Sequence, residues 1–229
     1  AERRYPDSWR SPFKPRVVAP SELNGVSLRD FGCVVLANTS RLPPAFLPRL
    51  AEYVRGGGGL WVVLGDQTVP SVFTADFASR SDSLLPLALK GPVGEIRRTD
   101  AFATLRVAAL AHPATRLLDD AGRLDLASVR AGRRHRFQLA TDDAEVSVLL
   151  ATERGEPVAV EAQHGEGRVI VQTVPLNASW SNLPACQVFV VMVHEWLWYL
   201  AEPSMNRCNL SVGEPLEIAV QALDSDIEA

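Results

Sequence analysis

Few side chains in these 229 residues combine chemical ability with a suggestive position. The apolar run "LWVVLG", Leu60 to Gly65, reads as a buried strand, and Asp66 and Gln67 follow it directly. In an open parallel sheet, ligands and catalytic groups gather at the carboxyl ends of the strands. Gly65, Asp66 and Gln67 are therefore the candidate ligand contacts. The alternative for Asp66 and Gln67 is a helix N-cap and a turn. His164 and Glu166 in "QHGEG" have a His-x-Glu spacing but read as a hairpin turn, and His112 precedes Pro113 and opens a loop or helix. His135, in "RAGRRHRF", reads as part of a solvated basic strand face, and His194 as a hydrogen-bonded histidine on a buried helix. No histidine or acid has metal-ligand spacing, so neither a metal nor a cofactor is expected.

Cys33, Cys186 and Cys208 are far apart and odd in number, which fits neither a disulfide framework nor a zinc site. They read as small buried or incidental thiols. Cys186 lies near the start of the last helix, where a helix N-terminus can lower a thiol pKa, but no histidine or acid partner accompanies it. The four glycines Gly56 to Gly59 lie after a helix and before a strand. A dinucleotide fingerprint needs them in the reverse order, and a P-loop adds a lysine absent here. They are a helix C-cap and corner on the edge opposite the functional one.

The elements that must position these residues follow from periodicity. "CVVLA", Cys33 to Ala37, is a continuous apolar run of the kind shown by a doubly covered parallel strand. "LPPAFLPRLAEYVRGGGG" places Phe46, Leu47, Leu50 and Val54 at helical spacing, with prolines at the entry and glycines at the exit, so it is a crossover helix leading to "LWVVLG". The segment from Val69 to Leu89 reads as a short helix followed by an apolar loop, and "FATLRVAAL" as a strand. "EVSVLLAT", "EPVAVEAQ" and "GRVIVQTV", separated by turn residues, form an antiparallel meander. Leu183 to Glu202 is a buried helix, and "NRCNLSVGEPLEIAV" beyond Pro203 reads as a hairpin of a further module.

The order "VVLAN", "YVRGGGGLWVVLGD", "LLP", "PVAVEAQHGEGRVIVQTV", "SWSNLP" and "YLA" resembles the glutamine amidotransferase-like domain of large membrane-anchored bacterial proteins that also carry a von Willebrand factor A domain. The resemblance runs from about Val17 to Ala201. It implies a flavodoxin-like α/β sheet, mostly parallel with an antiparallel C-terminal meander and helices on both faces. It also implies one more strand before residue 1, which these residues would lack. The resulting division is an N-terminal extension (1–16), the amidotransferase-like domain (17–202) and a C-terminal tail (203–229), with both ends reading as cut. Such domains are similar to class I glutamine amidotransferases and to trehalose-utilisation-type proteins. Class I amidotransferases use a Cys nucleophile on a strand-to-helix turn, a His that activates it and a Glu that orients the His. The resemblance maps these onto Leu64, Val174 and Leu176, so the triad is vestigial and no catalytic residue is expected. The implied role is a catalytically inactive binding or scaffolding module. The alternatives are a hydrolase pairing Asp66 with His112 or His164, or a ligand sensor using the strand end around Asp66.

Composition bounds the partners. A formal net charge of −4 argues against a nucleic-acid footprint, and 47% hydrophobic content supports a real core. No apolar run is long enough to span a bilayer, so no direct membrane insertion by this fragment is expected. The expected partners are another protein or other domains of the parent chain, with a small molecule as a further option. The resemblance implies an extracytoplasmic, soluble domain of a membrane-anchored bacterial protein.

Overall fold

The computed structural model describes residues 13–78, 84–96, 102–119, 124–139 and 146–206. In chain order its strands are β1 (Cys33–Ala37), β2 (Gly59–Val63), β3 (Leu87–Val93), β4 (Ala103–Val107), β5 (Arg130–Ala131), β6 (Arg134–Leu139), β7 (Val146–Thr152), β8 (Pro157–His164) and β9 (Gly167–Gln172). Its helices are α1 (Phe46–Arg55), α2 (Pro70–Phe77) and α3 (Gln187–Asn206).

A seven-stranded sheet takes the order β1-β2-β9-β8-β7-β4-β5, and β3 pairs with β6 in a separate two-stranded sheet. β1, β2 and β9 are mutually parallel, and each later neighbour is antiparallel to the one before it. β1, β2, β9, β7 and β5 therefore point one way, and only β8 and β4 are reversed. The result is a flavodoxin-like α/β sheet with helices on both faces. α1 and α2 bury Phe46, Leu50, Val54, Phe73 and Phe77 against Leu60, Val62, Val169 and Val171. On the other face α3 buries Val188, Met192, Trp196 and Leu200 against Trp61, Val63 and Ile170. Each such side chain contributes about 1.5 to 3 kcal/mol, so packing and not local propensity holds the helices.

The glycine run is the expected corner. Gly56 caps α1, Gly57 has φ 96°, and Gly59 opens β2. A Cβ on Gly59 would lie 2.4 Å from the Leu200 carbonyl oxygen, so α3 packs on β2 only because that residue has no side chain.

Three expectations need correction. Among the described residues β1 is the edge of the sheet, and it is not covered on both faces: Val35 is 40% exposed. The apolar stretch after α2 is not all loop, since Leu87–Val93 pairs antiparallel with β6 from Leu87 opposite Leu139 to Val93 opposite Arg134. The last helix also does not stop at Glu202. It continues through Pro203 to Asn206, and the hairpin expected beyond lies outside the described residues apart from that asparagine.

Candidate functional site

The carboxyl ends of β1, β2 and β9 are joined by a set of short contacts. Asn38, just past β1, has φ 52°, a left-handed conformation that asparagine tolerates better than most side chains. Its backbone N–H donates to the Val63 carbonyl at 2.8 Å, which extends the pairing of β1 with β2. Its side chain bridges to the next turn: Nδ2 donates to Asp66 Oδ1 at 2.6 Å, and Oδ1 accepts the Gln67 N–H at 2.9 Å. The Gly65 N–H donates to Thr68 Oγ1 at 3.1 Å, and the Thr68 N–H returns to the Gly65 carbonyl at 3.3 Å. A Cβ on Gly65 would lie 2.3 Å from Asn38 Oδ1, so any larger residue here would push the Asn38 side chain off its present contacts.

The Gly65 carbonyl has a second partner that sequence reasoning misplaced. His135, expected on a solvated face, is 1% exposed, and its Nε2 lies 2.8 Å from the Gly65 oxygen. The backbone N–H of His135 donates to the Thr173 carbonyl at 3.1 Å, so β6 crosses the carboxyl edge of β9. Its ring packs on Trp180 at 5.2 Å between centroids, and Trp180 is 3% exposed. A carbonyl partner fixes the proton on Nε2. Burial holds the imidazole pKa below its ordinary value, with the Gly65 hydrogen bond raising it and Arg133 lowering it. The signal lay in the alternation of "RHRF": an arginine stands at each second position and a ring, His135 or Phe137, between them.

Of the sequence candidates, Gly65 is buried with both backbone polar groups in use, whereas Asp66 and Gln67 are exposed and tied to Asn38. Asp66 is not the cap of α2, whose N-cap residue is Val69 with Pro70 at its first position. Leu64 is 1% exposed and packs with α1 and α2, while Val174, also 1% exposed, and Leu176 pack with α3. The three positions that the resemblance assigns to the triad thus enter cores on opposite faces of the sheet.

The other histidines lie elsewhere. His164 opposes Gly167 at the start of β9, whereas Asp66 lies beyond Val63, which opposes Gln172 at its end. About 16 Å of strand separates the two levels. His112 sits on the α3 face, where Nδ1 accepts the Ala114 N–H at 3.2 Å and Nε2 lies 3.7 Å from Glu161 Oε2. Tyr199 Oη lies 3.4 Å from the same Nε2 and donates to Glu161 Oε1 at 3.3 Å. This network ties the 108–119 segment to β8 and α3. Neither histidine reaches Asp66 to make a hydrolytic pair. His194 is half-buried, with its ring edge-on to Phe13 at 5.6 Å.

Burial pushes the Cys33 thiol up to about 12, and burial together with Asp125 raises that of Cys186. Neither is a ready thiolate. Asp125 serves instead as a distant cap for α3, its carboxylate accepting the Gln187 and Val188 N–H groups at 3.3 and 3.0 Å. Among the described residues no group of His, Cys, Asp and Glu could hold a metal ion. A cleft lined by Leu36, Thr39, Ser40, Thr68 and Phe73 opens at the ends of β1 and β2 but holds only about 20 Å³. A wider, open hollow of about 530 Å³ adjoins β4 and the start of α3.

The sequence matches no family model and no curated protein. Solved structures share the fold. A cytoplasmic protein of Salmonella typhimurium, STM3548, aligns at 15% identity over 80% of this chain and 76% of its own, with a TM-score of 0.58. A second, STM1381 of Salmonella typhimurium LT2, aligns at 16% identity over 78% of this chain and 73% of its own, with a TM-score of 0.52. At such identities the likeness is one of architecture.

Proposed function

We propose that this chain is a catalytically inactive glutamine amidotransferase-like domain, acting as a binding or scaffolding module of a larger membrane-anchored bacterial protein. The observation that carries this reading is the divergence of Leu64 from Val174 and Leu176 into two separate cores. A nucleophile, its base and the base's orienting acid must converge within hydrogen-bond reach, and these positions point apart.

A second observation supports the same reading. His135 and Trp180 are buried against the strand end, where an amidotransferase would keep its reactive centre open. Room for about one water in the neighbouring cleft favours a protein surface over a sugar or nucleotide as the partner. On this reading the remaining domains of the parent protein, or a separate protein, are what the module holds.

The purified chain should release no ammonia from glutamine above buffer. Release that disappears in Cys33→Ala or Cys186→Ala would overturn the reading. The resemblance also supports an extracytoplasmic location, reached through an anchor elsewhere in the parent chain, since among the described residues no helix is long and apolar enough to cross a membrane. A reporter enzyme active on only one side of the membrane, fused to the parent protein, tests the side.

A further inference from the structure

β6 presents different chemistry on its two faces. His135 points to the fold, so the flanking Arg134 and Arg136 share the opposite face. Arg134 is far from a solvated arginine: its side chain is only 12% exposed and is paired with Glu156, which follows the β7–β8 turn. Its Nε is buried and has no hydrogen-bond partner among the described residues. Arg154, exposed, lies in that turn, two residues before Glu156. Arg136 is two residues along the same face of β6 and Arg154 two residues before the partner of Arg134, and burial followed by their charges holds the Arg134 guanidinium below its usual pKa. Arg133 lies 5.1 Å over the Trp180 ring that also packs on His135, and the exposed Glu153 sits in the turn beside Arg154.

We propose that Arg134, Arg136 and Arg154 form a binding site for a phosphate-class oxyanion, either free phosphate or the phosphate of an ester. Residues 133–136 and 153–156 together carry four arginines and two glutamates, an excess of two positive charges, and the Arg134–Glu156 pair joins the two stretches. A phosphate monoester carries about −1.5 to −2 at neutral pH and several strong acceptor oxygens. It matches that excess and supplies the acceptor that Arg134 Nε lacks. Guanidinium forks suit tetrahedral oxyanions because paired N–H groups meet paired oxygens. The site lies on the face of β6 away from His135 and does not depend on whether the domain has lost amidotransferase chemistry.

Calorimetric titration of the whole chain at constant ionic strength tests this, using inorganic phosphate and glycerol 3-phosphate in separate arms and acetate as the monoanion control. Saturable binding of at least one phosphate is expected, and the tighter of the two identifies the free or esterified source. Arg136→Gln and Arg154→Gln should each weaken binding about tenfold or more, and Arg29→Gln, the same charge change at an exposed arginine paired with Glu52 on α1, should leave it unchanged. Arg136 and Arg154 are chosen because they are exposed, whereas an Arg134 variant would strand Glu156 and risk the fold. No saturable heat with either phosphate, equal binding of acetate, or a wild-type Kd in either glutamine variant would overturn the assignment.

Discussion

The imidazole of His135 and the carbonyl of Gly65, seventy residues apart, meet at 2.8 Å in the buried end of the sheet. This one bond connects the small β3–β6 sheet to the turn after β2. Replacing His135 with Ala should remove the donor, the ring on Trp180 and the filled volume together, at a cost of roughly 2 to 4 kcal/mol. His135→Gln keeps a donor and should lose less. Urea unfolding of the two variants checks the order, and equal losses would show that the hydrogen bond to Gly65 is immaterial.

Acid should weaken the fold through the same residue. Burial lowers the pKa of His135, and likewise that of His112, where Glu161 raises it and Arg168 lowers it. The unfolded chain then takes up protons at a higher pH than the folded one, near the ordinary value of 6.5. Stability is therefore complete above that value and falls as the pH drops toward the depressed folded values. Thermal midpoints measured from neutral pH downward should decline, and His135→Gln and His112→Gln should each flatten part of the decline. A slope identical in both variants and wild type would exclude these histidines as its cause.

Asn38 carries a conformational cost and two bridging hydrogen bonds at once, and two substitutions separate them. Asn38→Ala removes both bonds from the side chain and leaves φ at 52°, so a loss of about 1 to 3 kcal/mol is expected. Asn38→Gly also loses the bonds but relieves the strain, so it should be the milder change. If glycine proves as damaging as alanine by urea unfolding, the left-handed backbone is not the source of the difference.

How much of this was legible in the sequence depended on the range of the cause. "CVVLA", "LWVV" and "GRVIVQTV" declare themselves locally, and the glycines after α1 say where that helix ends. What stands beside what is set by contacts far apart in the chain: β9 pairs with β2 across more than a hundred residues, leaving β1 at the edge. β3 was hidden because Pro86, Gly91 and Pro92 break its pattern, and His135 because the arginines on either side suggested solvent. At the strand end, Asp66 and Gln67 were visible as polar residues, but their tie to Asn38 depends on β1 and β2 being neighbours.

Pro203 shows the same limit and offers a test of it. A proline inside a helix leaves the carbonyl four residues earlier without its donor, so the sequence suggested that the helix stopped there. In the structure that carbonyl, on Tyr199, is taken by Arg168 at the start of β9, whose Nη1 donates to it at 2.7 Å. The same guanidinium bonds Glu202 at 2.7 Å and lies 4.2 Å over the Tyr199 ring. Arg168→Met should therefore cost about 1 to 2 kcal/mol by stranding a carbonyl as well as losing the ion pair. Pro203→Ala restores an N–H that can serve Tyr199 from within the helix. In that background Arg168→Met should cost less, by about 0.5 to 1 kcal/mol, because the Glu202 and ring contacts are common to both arms of the double-mutant cycle and cancel. Strict additivity of the two substitutions would mean that Arg168 does not stand in for the hydrogen bond that Pro203 removes.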